Sequence, residues 1–255
     1  MYRLAPGHIL QRLYLRERLR RRGLRTFVEV GAGAGITCET LLALGMTGSA
    51  FDLNAEACDA NERLNAAAIR AGRFAVRRED FLAARVDPVD LVISSMVIEH
   101  LVAEDVRKYF ARARALLTDG GLIVTVVPGS PRHWGIEDEV AGHQKRYVRG
   151  DFDAIAHDHG LRVEHVAGLT WPLSNLLLGV SNALVRRSES AQRARSAQER
   201  TVASGYRKVP GKTEFPDFVR LLVNDVTMYP WHVVQRMAAN HPDALVLYAE
   251  LARAA

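Results

Sequence analysis

Side chains that handle protons and anions crowd one short stretch, Pro128 to Tyr147, which reads Pro-Gly-Ser-Pro-Arg-His-Trp-Gly-Ile-Glu-Asp-Glu-Val-Ala-Gly-His-Gln-Lys-Arg-Tyr. A neutral imidazole accepts a proton near neutral pH, so His133 and His143 are the candidate general bases, with Glu139 near the acceptor. Arg146 could hold an anionic group, and Trp134 and Tyr147 offer aromatic surface to a substrate. No cysteine joins these histidines, and the geometry a metal requires cannot be read from spacing, so no metal site is expected.

A second stretch points to a nucleotide. Phe27-Val-Glu-Val-Gly-Ala-Gly-Ala-Gly sets three alternating glycines, Gly31, Gly33 and Gly35, behind the acid Glu29. Apolar residues followed by glycines suit a buried strand ending in a tight turn where backbone approaches a ligand closely. Asp52, about twenty residues on, lies where an acid accepts hydrogen bonds from both ribose hydroxyls in doubly wound folds. Helix capping is the competing role, because Asp52 and Asn54 both precede a helical run. A dinucleotide fingerprint would place glycine or alanine three positions after Gly33, and Ile36 stands there.

The elements that must carry these residues follow from pattern. Ile9 to Arg22 is an amphipathic helix with an arginine face, which is either solvated or a binding surface. Strand, glycine turn and helix Ile36 to Leu44 follow, then strand Ser49 to Leu53, helix Ala55 to Ala71 and strand Phe74 to Arg77. Asp90 to Ser95 is a fourth strand, Ala103 to Leu117 a helix closed by Asp119-Gly-Gly, and Leu122 to Val127 a fifth strand. Such alternation predicts an α/β fold with a parallel sheet and helices on both sides. Helix Asp151 to His159 and strand Leu161 to Val166 come next, and Ala244 to Leu251 is the last strand.

The acid-x-Gly-x-Gly-x-Gly turn resembles motif I of the class I S-adenosylmethionine (SAM) dependent methyltransferases. That resemblance implies a Rossmann-like seven-stranded sheet whose last strand is antiparallel, with SAM as cofactor. It assigns Glu29, Gly31, Ala32, Gly33, Asp52 and Leu53 to the cofactor, and Asp80 with Phe81 to its adenine. Ser94-Ser-Met-Val-Ile-Glu-His-Leu is similar to motif IV, which brings Ser95 and Met96 to the methionine end and His100 to the substrate side. His100 is then either a proton acceptor or a residue that holds the following loop. The Asp138-Glu139, Gly142-His143 and Arg146-Tyr147 block looks like one found in bacterial methyltransferases of the type 11, 12 and 23 group. The implied activity is methyl transfer to a small-molecule or lipid-linked acceptor, most often an oxygen. The alternatives are a nucleic-acid methyltransferase and a SAM-binding scaffold without turnover. Exocyclic-amine enzymes of the first kind carry an Asn/Asp/Ser-Pro-Pro-aromatic motif where this chain has Ser94-Ser-Met-Val, so nucleic acid is the weaker partner.

Composition sets the bounds. The 255 residues suffice for one domain with an elaboration: residues 1–25 as an N-terminal helix, 26–168 plus 244–255 as core, and 169–243 as an insertion. A net charge of +5 suggests anionic company. The two cysteines, Cys38 and Cys58, fall in helical runs and fit a reducing compartment. No signal-peptide pattern is visible at the N-terminus, so a cytoplasmic location is expected, peripheral on a membrane if the insertion rests there. No stretch reaches the roughly 20 apolar residues of a bilayer span. The insertion holds apolar Trp171 to Val185, arginine-rich Arg186 to Lys212, a helical run with Phe218, Leu221, Leu222 and Val226, and Met228-Tyr-Pro-Trp-His around a proline break. It is a lid, a membrane-interface element or a dimer contact.

Overall fold

Near-continuous apolar runs such as Leu91-Val92-Ile93, all fully buried, mark strands covered on both faces. In the computed structural model, which describes residues 5–188 and 223–254, they build one seven-stranded sheet. Its strands are β1 (Thr26–Val30), β2 (Thr47–Phe51), β3 (Phe74–Arg77), β4 (Val89–Ser95), β5 (Leu117–Pro128), β6 (Leu161–Leu169) and β7 (Val246–Arg253). They lie in the order β3-β2-β1-β4-β5-β7-β6. Neighbours from β3 through β5 are parallel, and β7 runs antiparallel between β5 and β6.

The helices are α1 (Pro6–Leu19), α2 (Ile36–Ala43), α3 (Ala55–Leu64), α4 (Ala66–Arg70), α5 (Ala103–Leu116), α6 (Ile136–Ala141), α7 (Arg149–Asp158), α8 (Leu173–Ser188) and α9 (Asp225–Met237). Successive strand residues point to opposite faces, and the core divides accordingly. Phe27, Leu91, Ile93 and Tyr248 pack on one side with Leu41 of α2. Val28, Val92, Ile123 and Leu251 pack on the other with Phe110 of α5 and Phe152 of α7.

Local departures from the sequence expectation have physical causes. The helix expected over Ala55 to Ala71 is two helices, because Asn65 leaves helical geometry (φ −102°, ψ 17°) and turns its side chain to the Gly35 carbonyl. The Asp119-Gly120-Gly121 stop lies inside β5, since α5 ends at Leu116 and passes directly into the strand. Strand β2 ends at Phe51, so Asp52 stands just beyond the sheet edge. Pro230 does not break the chain; it sits in the sixth position of α9, where it removes one intrahelical hydrogen bond. Asn224 caps that helix by accepting from the Val226 and Thr227 N–H groups. Residues 189–212 of the arginine-rich stretch, together with Phe218, Leu221 and Leu222, lie outside the described residues.

The arginine face of α1 meets protein rather than solvent alone. Arg18 donates two hydrogen bonds of 2.8 Å to the fully buried Glu250 of β7, and Arg22 pairs with the same carboxylate. Arg12 and Arg16 pair with Asp225 at the start of α9.

Candidate active site

Strand order reverses between β1 and β4, and ligands of open α/β sheets bind at the carboxyl ends of strands at such a point. The glycine turn Gly31 to Gly35 lies there. Gly31, Gly33 and Gly35 all have positive φ (66°, 52° and 81°), a region side chains rarely occupy. Space is also short: a Cβ on Gly31 would stand 2.5 Å from Val97 Cγ2, and one on Gly35 2.1 Å from Asn61 Oδ1. The turn is tied back to β2 by the Gly31 and Ala32 N–H groups, which donate to the Phe51 carbonyl.

Asp52 closes the turn. Its Oδ2 accepts from the Gly33 N–H and its Oδ1 from the Asn54 N–H, both at 2.8 Å. A carboxylate has about four lone-pair sites, so each oxygen keeps one for a ligand. Helix α3 is capped by Asn54, which accepts from the Ala57 N–H, leaving Asp52 free of that duty. Beside it Leu53 is 59% exposed, an apolar side chain at the edge of the cleft. Carboxylate acceptors next to an apolar surface suit a nucleoside.

The other cofactor candidates are placed less directly. Glu29 is buried, accepts a hydrogen bond from the Cys38 thiol, and is pushed up to about 8 chiefly by burial; it secures the first turn of α2 against β1. Asp80 is exposed and accepts from the Leu82 N–H. Phe81 is a core side chain against Phe51 and Tyr109. Ser95 ends β4, and Met96 adopts φ 56° while its N–H donates to the Val126 carbonyl.

On the substrate side, the expected residues separate. His133, Trp134 and Glu139 sit outward on the Pro131–His133 turn and α6, with Trp134 and Glu139 exposed. Arg146 is buried: its Nε donates to Asp138 Oδ1 at 2.8 Å and its Nη1 to the Gly129 carbonyl. Those contacts fasten the loop to the end of β5. Tyr147 is also core, donating to the Ile98 carbonyl and stacking on Phe152.

His100 and His143 are brought together, with ring centroids 4.7 Å apart. His143 Nδ1 and Asp138 Oδ1 are 2.8 Å apart, and Asp138 is held below the usual carboxylate range because hydrogen bonds from His143 and Arg146 outweigh its burial. An Nδ1–H directed at a carboxylate leaves Nε2 with its lone pair open. Burial, followed by the neighbouring His143, pushes His100 down to about 4, so it is neutral at ordinary pH and a weak base. Glu99 completes the group. It is fully buried, neither carboxyl oxygen has a hydrogen-bond partner, and burial pushes it up to about 8. The sequence names Glu99 and Asp138 only within family-like phrases and gives no role to them or to Asn61 and Asn65. Glu99 stood in plain view beside His100, but nothing in the spacing joined that pair to His143.

The methyltransferase domain family matches residues 3–166. The chain belongs to that family. No curated protein matches it. Among solved structures, the methyltransferase resembles the mitomycin 7-O-methyltransferase MmcR (TM-score 0.53, 16% identity, 63% of this chain and 50% of that one). It also resembles magnesium protoporphyrin IX methyltransferase from Synechocystis PCC 6803, solved with bound SAH (0.53, 14%, 64% and 77%). A candidate sarcosine dimethylglycine methyltransferase from Galdieria sulphuraria aligns over 98% of this chain and 85% of its own (0.56, 13%). At these identities the likeness is one of fold, and the chain spans half the length of MmcR. Sheet order and the antiparallel β7 give the chain the class I methyltransferase fold, in agreement with the family match.

Proposed function

We propose that the methyltransferase binds SAM on the glycine turn and Asp52 and transfers its methyl group to an oxygen of a small-molecule or lipid-linked acceptor. The observation that carries the cofactor assignment is Asp52, fixed by the Gly33 and Asn54 N–H groups with lone pairs to spare. When bound, SAM supplies a sulfonium-activated methyl group. The protein's tasks are then to align the acceptor, exclude water and relieve the acceptor hydroxyl of its proton. Leu53 would cover one face of the adenine, and the Gly31 turn would admit the ligand close to backbone. Asp138 fixes the His143 ring, and the His143 Nε2 lone pair is the proton acceptor best positioned by a partner. One structural neighbour, MmcR, is named as a 7-O-methyltransferase, which supports oxygen as the target.

The lipid-linked form of this reading rests on exposed apolar side chains: Leu176, Leu177 and Val180 along α8, and Val226, Val233 and Met237 along α9. No helix among the described residues is long and apolar enough to cross a membrane; the contact read here is one of exposed side chains with a lipid surface.

Calorimetry with SAM and S-adenosylhomocysteine (SAH) tests the cofactor assignment. One site is expected, and Asp52→Ala should weaken it by about 100-fold or more, since two charge-assisted hydrogen bonds of roughly 1.5–3 kcal/mol each would be lost. Unchanged affinity in a folded Asp52→Ala protein would overturn it. Release of SAH with hydroxylated acceptors reports turnover; SAM binding without release under any acceptor would indicate a scaffold.

A further inference from the structure

Three potential ligand atoms, one each from Glu99, His100 and His143, lie within 4.8 Å of one another. Two segments bring them there. Glu99 and His100 occupy the short 3-10 turn Ile98–His100 after β4, and His143 follows the left-handed Gly142 that ends α6. The segments are joined by the Gln144 N–H, which donates to the Glu99 carbonyl at 2.6 Å.

The polar atoms inside this cluster lack partners. Both carboxyl oxygens of Glu99 and Nδ1 of His100 are buried with no hydrogen bond. Leaving one buried polar group unsatisfied costs about 1–3 kcal/mol, so three converging on one point call for an occupant. A cation suits that point, because an ionised Glu99 and the unpartnered His100 Nδ1 would each present it a lone pair, and the proton that burial favours on Glu99 would leave to solvent as the cation binds. His143 is prepared in the same sense. Its Nδ1 is committed to Asp138, the carboxylate–histidine arrangement that orients metal-bound imidazoles, and Arg146 and the Gly135 N–H in turn hold Asp138.

We propose that Glu99, His100 and His143 form a binding site for one zinc-class divalent cation beside the methyl-transfer cleft. Two imidazoles and a carboxylate favour zinc or a similar first-row ion over magnesium or calcium, which prefer all-oxygen shells. Three protein ligands leave a position open, as in catalytic rather than structural zinc sites. Three atoms at most 4.8 Å apart share a point within about 2.8 Å of each, so side chains would close by at most roughly 0.6–0.8 Å to reach the 2.0–2.2 Å of zinc bonds. His143 and His100 are both partly exposed, whereas Glu99 is buried.

A cation there changes the task of His143. Its Nε2 lone pair would bind metal instead of taking a proton, and an acceptor hydroxyl in the open position would lose its proton to solvent water because the metal lowers its pKa. Metal binding itself does not depend on the methyl-transfer reading. Loss of SAM binding would leave the site standing, and failure of the site would leave the SAM assignment standing.

The test uses the full chain without a histidine tag, freed of metal by chelator and titrated with Co²⁺ and then Zn²⁺. One equivalent of Co²⁺ should give visible ligand-field absorption of an intensity that marks four or five ligands, and Zn²⁺ should displace it. Glu99→Gln and His143→Gln should each weaken binding by tenfold or more, and Asp138→Asn by about tenfold through the orienting bond. The exposed His157 serves as control, and His157→Asn should bind as the unsubstituted chain does. Circular dichroism and SAM titration check each fold; should His143→Gln fail to fold, His100→Asn carries the comparison. Absence of saturable one-equivalent binding, binding of Mg²⁺ in preference to Zn²⁺, or full affinity in folded Glu99→Gln would each overturn the proposal.

Discussion

Gly31 combines a backbone that only glycine adopts easily with a Cβ direction already filled by Val97. Gly31→Ala is expected to lower stability by about 1–3 kcal/mol, the usual range for local backbone strain, and to weaken SAM binding as the turn shifts. Adding Val97→Ala should restore part of the stability by removing the clash and leave the strain from φ. Urea unfolding of the single and double variants measures both; equal stabilities of the two would mean that steric contact with Val97 is not a cause. At this scale the sequence was informative where a role depends on local spacing. The glycines, Glu29 and Asp52 could be found by counting along a strand, turn and strand. The packing of Arg146 and Tyr147 could not, because a buried arginine and an exposed one look alike in sequence until their partners are known. Arg146 meets Asp138 and the Gly129 carbonyl across 8 and 17 residues, distances that periodicity does not encode.

Among the elements, α1 is the one whose attachment depends most on charge. Glu250 would be raised by burial, yet hydrogen bonds from Arg18 and Tyr248 and the charges of Arg18 and Arg22 hold it below its ordinary value. A carboxyl depressed in the folded state adds stability above its unfolded pKa, near 4.3, and that stability is lost as pH falls through the lower folded value. Unfolding measured at pH 5 and at pH 3 should therefore show a steeper acid loss in the unsubstituted chain than in Glu250→Gln. At pH 7 the same substitution should cost roughly 2–3 kcal/mol, below the range for fully buried pairs, since Arg18 and Arg22 are about a third exposed. Equal acid sensitivity of the two proteins would remove Glu250 as the cause. Sequence patterning located α1 and its arginines but not their destination. The amphipathic period shows which face is basic, and the matching acids lie more than 200 residues away.

For the whole molecule, the parallel part of the sheet was legible from strand–helix alternation, and the seventh, antiparallel strand through the motif I resemblance, whereas the order of the strands was not. The insertion was not, since its helices bury little of themselves and follow no sheet register. Its described parts leave apolar side chains exposed on α8 and α9. If these meet a lipid surface, Leu176→Asp with Met237→Asp should at least halve co-sedimentation with vesicles containing anionic lipid while SAM affinity holds. Unaltered co-sedimentation of the folded double variant would place the lipid contact elsewhere, and absence of co-sedimentation in the unsubstituted chain would favour a soluble acceptor.

The bond between Arg18 and Glu250 also sets an order of events during synthesis. The turn-bearing strands leave the ribosome early and can pair as they appear. The first helix can rest on α2, but its arginine anchor must wait until β7 emerges and slides between two strands already made. A nascent chain stalled before that moment would present its apolar Leu10, Tyr14 and Leu15 to chaperones, with the nucleotide-binding half already shaped beside them.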